Sequence, residues 1–209
     1  MSFRGAALLA YYEDEDAVAD AARKASFTHR EATALDGSEF FARVAFRVSR
    51  GALPRDAIQD VAAASSPFVQ RKVAQALAKA DEATDPAQPL SKEDFVDDLA
   101  LTSMARLWDV GKSEPIKVGK ASPTEGTLPG SVYFIVKYEN NLVAAARANA
   151  EVGGDSASRA VAIGAVLGAA GGLSAVPPEL GAGKLVEWDR ALALLDRMPL
   201  LRDDDVGEL

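Results

Sequence analysis

The chain has no cysteine, which rules out disulfides, thiolate metal centres and cysteine nucleophiles. It has one histidine, His29, so general acid/base chemistry by imidazole would rest on that residue alone. Aromatic residues are scarce at 7%, and Ala dominates the apolar set. Strands favour β-branched and aromatic side chains whereas Ala is the best helix former, so this poverty points away from sheets. No basic stripe is present and the net charge is −8, which disfavours nucleic acid as a partner. No uncharged run reaches the ~20 residues a bilayer requires. The nearest candidate, Ala160 to Val176, is filled by Gly and Ala with a GxxxG spacing at Gly164 and Gly168. That composition fits a buried central helix of a bundle better than a membrane span, because small residues let helices approach closely. The N-terminus has one Arg and a short apolar run, Ala6 to Tyr12, ended by acids from Glu13, which is no secretory signal. These absences together lead to the expectation of a cytoplasmic protein with no membrane partner.

What is present reads as one all-α domain over residues 1–201, followed by an acidic tail, 202–209. Glu13 to Ser26 has acids in its first turn and Arg23 and Lys24 in its last, which suits the helix macrodipole. Ser38 is expected to cap a helix whose face is Phe40, Phe41, Val44, Ala45 and Val48 and which ends at Gly51. Pro54 and Pro67 fit first helical positions. Thr84 to Leu90 reads as a loop, and Ser91 with Asp94 resembles a capping box. The helix behind it carries Phe95, Val96, Leu99, Met104 and Leu107, with Asp94, Asp97 and Asp98 expected on a solvated face. Asp109 to Gly130 reads as a long loop. Ser131 to Tyr138 has strand-like composition, but no second strand exists to pair with it, so a buried helix is expected. Leu142 to Glu151, Asp155 to Leu173 and Lys184 to Met198 complete the set.

The most distinctive segment is Gly153-Gly154-Asp155-Ser156-Ala157-Ser158-Arg159, between two helices. Paired glycines permit a tight turn and place Asp155 at a helix start beside two hydroxyls. Two readings stand. Oxygen donors on a helix N-terminal turn suit a hard cation such as Mg²⁺. Equally, Asp155 can serve as a simple N-cap. His29 follows Thr28 at a helix end, where a structural capping role is expected.

The order "helix, Gly-Gly-Asp, small-residue helix, Gly-rich end, Pro177-Pro178" resembles the closing motif of the ADP-ribosylglycohydrolase family. Three further segments agree in order. Arg4-Gly5-Ala6-Ala7-Leu8 resembles the segment after the family's Gly-Asn-Gly turn. Ala22 through Phe27-Thr28-His29 resembles a family helix end, and Leu128-Pro129-Gly130-Ser131-Val132-Tyr133 resembles the approach to the penultimate helix. The resemblance implies a multi-helix bundle that hydrolyses the bond between ADP-ribose and its acceptor with Mg²⁺. It also implies that Asp155 and Ser158 are metal-facing and that Gly153, Gly154 and Ser156 lie against the ligand. No catalytic residue is assigned.

The departures from that pattern are specific. The family motif reads Gly-Gly-Asp-x-Asp-Thr, and Ala157 stands where the second Asp belongs. A Thr-Asp-Asp motif expected earlier in the order is absent, since Asp97-Asp98 follows Val96 and lies too late. The chain is therefore expected to correspond to the C-terminal part of the family domain, without its N-terminal helices. An exposed apolar face is expected beside Ala160 to Gly172, covered by a partner chain or by self-association. The Gly-Gly-Asp-Ser-Ala-Ser-Arg version resembles the crystallin-J1 branch. Two expectations follow: a hydrolase with an incomplete metal site, inactive alone, or a non-catalytic structural or ligand-binding relative.

Overall fold

The computed structural model describes residues 9, 11–88, 90, 95–104, 120–178, 181 and 184–198. Among these residues the fold is all helical, with no strand. Helix α1 spans Glu15–Ala25, α2 Ala32–Val48, α3 Pro54–Ala63 and α4 Pro67–Thr84. Helix α5 spans Val96–Met104, α6 Thr124–Lys137, α7 Leu142–Val152, α8 Ser156–Gly171 and α9 Trp188–Leu195.

Local chemistry sets most of the boundaries. Asp14 caps α1 by accepting from the Ala17 amide at 2.8 Å, ahead of Glu15 and Asp16. Pro54 and Pro67 occupy the first turns of α3 and α4, where a missing N–H costs nothing. Helix α2 differs from the sequence expectation. It starts at Ala32, capped by the Glu31 carboxylate, and Ser38 is buried in its second turn. There the Ser38 and Ser26 hydroxyls pair at 3.0 Å, so the serine ties α2 to the end of α1 instead of starting a helix. Arg23, Arg43 and Arg47 add ion pairs to Asp36, Glu39, Glu15 and Asp16 along the same seam.

Helix α6 is the hub, packed against α4, α8, α5, α7, α3 and α2. Thr127 through Val136 are all buried. This explains the strand-like composition of residues 131–136: a helix surrounded on every side shows no amphipathic period. The helix begins seven residues earlier than its apolar run, so part of the expected 109–130 loop is helix; the segment 105–119 lies outside the described residues. Gly126, Pro129 and Gly130 disguise that start. Gly130 has a packing reason: a Cβ there would sit 3.1 Å from Arg159 Cδ.

Helix α5 keeps part of the expected face inward, Met104 buried and Val96 half-buried. Ala100, Leu101 and Met104 are buried, while Phe95 and Leu99 are exposed; Leu107 and the Ser91–Asp94 box lie outside the described residues. Helix α9 is shorter than the expected 184–198 span and has no buried residue. Helix α8 is not central. It buries Arg159, Ala162, Ile163, Val166 and Leu167, and leaves Ala160, Val161, Gly164 and Ala170 exposed. No helix among the described residues is long and apolar enough to cross a membrane. The tail, 202–209, lies outside them.

Candidate functional site

The Gly153-Gly154-Asp155 turn joins α7 to α8. Gly153 and Gly154 have φ of 72° and 70°, in the left-handed region that other residues enter only under strain. Gly154 is further constrained, because a Cβ would run into the Lys120 carbonyl. That same carbonyl accepts the Asp155 amide at 2.8 Å, so the turn is pinned to residue 120 through its backbone.

Asp155 is the N-cap of α8, and its Oδ1 accepts the Ser158 amide at 3.0 Å. Burial alone would raise its pKa, but hydrogen bonds from the Ser158 amide and from the Ser158 and Ser122 hydroxyls hold the carboxyl below its ordinary range. The N-cap reading of Asp155 is therefore realised, with Ser158 beside it. Ser156 turns the other way. Its hydroxyl donates to the Asn149 carbonyl at 3.1 Å, and its own carbonyl accepts from Asn149 Nδ2 at 2.9 Å. Ala157 is exposed at the position between the two serines.

Arg159 organises the turn from beneath, and sequence reasoning assigned it no role. The residue is 1% exposed, and among the described residues no carboxylate bonds it. The guanidinium donates instead to Asn149 Oδ1 at 2.7 Å, to the Gly153 carbonyl at 2.5 Å, and more weakly to the Asn149 and Lys120 carbonyls and the Ser156 hydroxyl. A cation at the C-terminal end of α7 also answers the macrodipole of that helix. Burial nevertheless pulls the Arg159 pKa below its ordinary value, with Asp155 opposing that shift. The available signal was its place in the Gly-Gly-Asp motif; its partners are up to 39 residues away and no local pattern reveals them.

The acidic pair Asp97 and Asp98 is not a solvated face. Asp97 accepts from the Tyr133 hydroxyl at 2.6 Å, the Tyr138 hydroxyl at 2.8 Å and Lys137 Nζ at 2.5 Å, and so ties α5 to α6. Burial and this shared carboxylate push both tyrosine pKa values well up. Asp98 pairs with Lys120, whose Nζ also donates to the Val152 carbonyl at 2.6 Å. A cavity of about 560 Å³ lies against these groups, bounded by Phe95, Asp97, Asp98, Lys120, Glu151 and Val152. Three carboxylates against one lysine make it unfavourable for a diphosphate.

Thr28 and His29 lie in the exposed α1–α2 connection. The Thr28 hydroxyl and His29 Nδ1 are 2.8 Å apart, and the His29 amide donates to the Ser26 carbonyl at 2.9 Å. The C-terminal cap of α1 is supplied by the backbone, the Ser26 amide donating to the Ala22 and Arg23 carbonyls.

Neither a curated protein nor a solved structure matches this chain. A sequence profile of the ADP-ribosylglycohydrolase family does match, over residues 2–206, and the helical architecture agrees with it. The match covers nearly the whole chain, and the chain belongs to the ADP-ribosylglycohydrolase family.

Proposed function

We propose that this is an ADP-ribosylglycohydrolase-like protein that does not release ADP-ribose by itself, because its magnesium site is incomplete. The observation that carries this reading is the state of the closing motif. One carboxylate, Asp155, is engaged as a helix cap, and the position two residues on, where the family motif carries a second acid, is the apolar Ala157. Mg²⁺ requires near-octahedral oxygen coordination and gives up its hydration shell reluctantly. One Asp and neighbouring serine hydroxyls do not fit that demand. Among the described residues no group of three or more His, Asp or Glu side chains is placed to hold a metal ion. Hydrolysis in this scaffold then depends on carboxylates supplied by another segment or by a partner chain.

The Gly-Gly-Asp-Ser-Ala-Ser-Arg form supports a second reading, a non-catalytic relative of the crystallin-J1 kind that serves a structural or ligand-binding role. Arg159 supports it, since a buried guanidinium bonded to Asn149 and Gly153 holds the turn through protein contacts. A single experiment separates these readings from an active enzyme. The purified chain is incubated with a mono-ADP-ribosylated protein, with and without Mg²⁺, and free ADP-ribose is measured by chromatography. No release above the uncatalysed background is expected. Magnesium-dependent turnover abolished by Asp155→Asn would overturn the proposal. Calorimetry with ADP-ribose then tests ligand binding: no heat is expected of a purely structural relative, and heat without release supports a chain that still holds the ligand.

A further inference from the structure

Helix α7 ends at Val152 and α8 is capped by Asp155, so only Gly153 and Gly154 separate them. Lys120 holds both ends of that turn. Its Nζ donates to the Val152 carbonyl at 2.6 Å, which lies among the last carbonyls of α7 that helical amides leave free. Its own carbonyl accepts the Asp155 amide at 2.8 Å and, more weakly, Arg159 Nη1 at 3.4 Å. Between these two grips the Lys120 main chain lies so close that a Cβ on Gly154 would overlap it.

The two grips differ in kind. The carbonyl is main chain, and any residue at position 120 supplies one. The grip on Val152 depends on a charge. That ammonium is aimed by Asp98 of α5, with which it pairs at the wall of the acidic cavity, and both side chains are partly exposed there. Lys120 stands ahead of α6, which starts at Thr124, so no helix of its own fixes its main chain. Its side chain is what ties this segment to α5 and to the end of α7. Charge-assisted bonds of this kind are stronger than neutral ones, and they are lost when the lysine charge is removed.

We propose that Lys120 is a releasable clamp that couples the acidic cavity to the Gly-Gly-Asp turn: loss of its charge, or of its pair with Asp98, loosens the turn while the rest of the bundle stays closed. The proposal is independent of catalytic competence. It is tested on the full chain by amide hydrogen exchange, read residue by residue by nuclear magnetic resonance, because exchange reports local opening separately from global unfolding. Lys120→Met should speed exchange of the Asp155 and Ser158 amides by about tenfold or more, as loss of hydrogen bonds to a charged group implies. Amides in the middle of α2 and α4 should keep their rates. Lys120→Arg, which keeps the charge and its donors, should stay near the wild type. Asp98→Asn should move the same amides in the same direction by a smaller factor. Should Lys120→Met fail to fold, Asp98→Asn decides, because it leaves Lys120 in place. Wild-type exchange at Asp155 in either variant would overturn the proposal. So would equal acceleration in α2 and α4, which marks a general loss of stability, or Lys120→Arg exchanging as fast as Lys120→Met.

Discussion

Arg159 and Asp155 occupy one turn of helix but answer to different physics. The guanidinium of Arg159 satisfies buried carbonyls that nothing else reaches, among them Gly153 and the Asn149 side chain. Each buried acceptor left without a donor costs roughly 1–3 kcal/mol. Arg159→Met is therefore expected to lower stability by about 3 kcal/mol in urea unfolding. Arg159→Lys should recover only part of this, since an ammonium cannot span several acceptors as a planar fork does. Asp155 is half-exposed and caps a single amide, so the effect is smaller. Asp155→Asn should change stability by less than about 0.5 kcal/mol, whereas Asp155→Ala should cost about 1 kcal/mol. The pH dependence has a fixed sign. The folded-state pKa of Asp155 lies below its ordinary value of 3.8, so its contribution is present above that pH and fades as pH falls through the lower folded value. The cost of Asp155→Ala should accordingly shrink in strong acid. A cost that grows there would show that the carboxylate is not held by the Ser158 and Ser122 donors.

At the level of helices, legibility followed the range of the interactions involved. Pro54, Pro67 and the acids before Val18 mark starts through local chemistry, and those starts are where the sequence places them. Ser38 looks like a cap for the same local reason, but its hydroxyl is claimed by Ser26 across the α1–α2 contact. Helix α6 shows the limit most clearly. Gly126, Pro129 and Gly130 are poor helix formers, and only packing on every side makes Thr124 to Gly130 helical. The Gly-Gly-Asp turn was legible because glycine pairs announce positive φ. Its anchorage to Lys120 was not, because it depends on a contact 35 residues distant in sequence, between the Asp155 amide and the Lys120 carbonyl. That anchorage gives a sharp expectation. Gly154→Ala must both enter the left-handed region and displace the Lys120 carbonyl, so it should cost more than the roughly 1–2 kcal/mol of backbone strain alone. Circular dichroism with urea titration measures it, and a neutral result would mean that residue 120 does not sit against the turn.

For the molecule as a whole, the question is whether a divalent ion is linked to folding. A ligand that binds only the folded state stabilises it by about 2.7 kcal/mol at a hundred times its Kd. In a chain of 209 residues each kcal/mol moves the thermal midpoint by roughly 2–4 °C. A magnesium site with a Kd of about 10 μM would therefore raise Tm by roughly 5–10 °C in about 1 mM Mg²⁺. The folded chain offers Asp155 already committed to the Ser158 amide, with Ala157 exposed beside it. Its acidic cavity near Lys120 has Asp97 and Asp98 each engaged by lysine or tyrosine. Among the described residues no group of three or more His, Asp or Glu side chains stands together to hold the ion. The expected outcome is a thermal midpoint that does not move between chelator and millimolar Mg²⁺, beyond the small change any divalent salt produces on a chain of net charge −8. Ca²⁺ serves as the control for that general effect, because charge screening treats the two ions alike while an octahedral site does not. A shift of several degrees for Mg²⁺ over Ca²⁺, lost in Asp155→Asn, would show that further ligands complete the site and would reopen the case for catalysis.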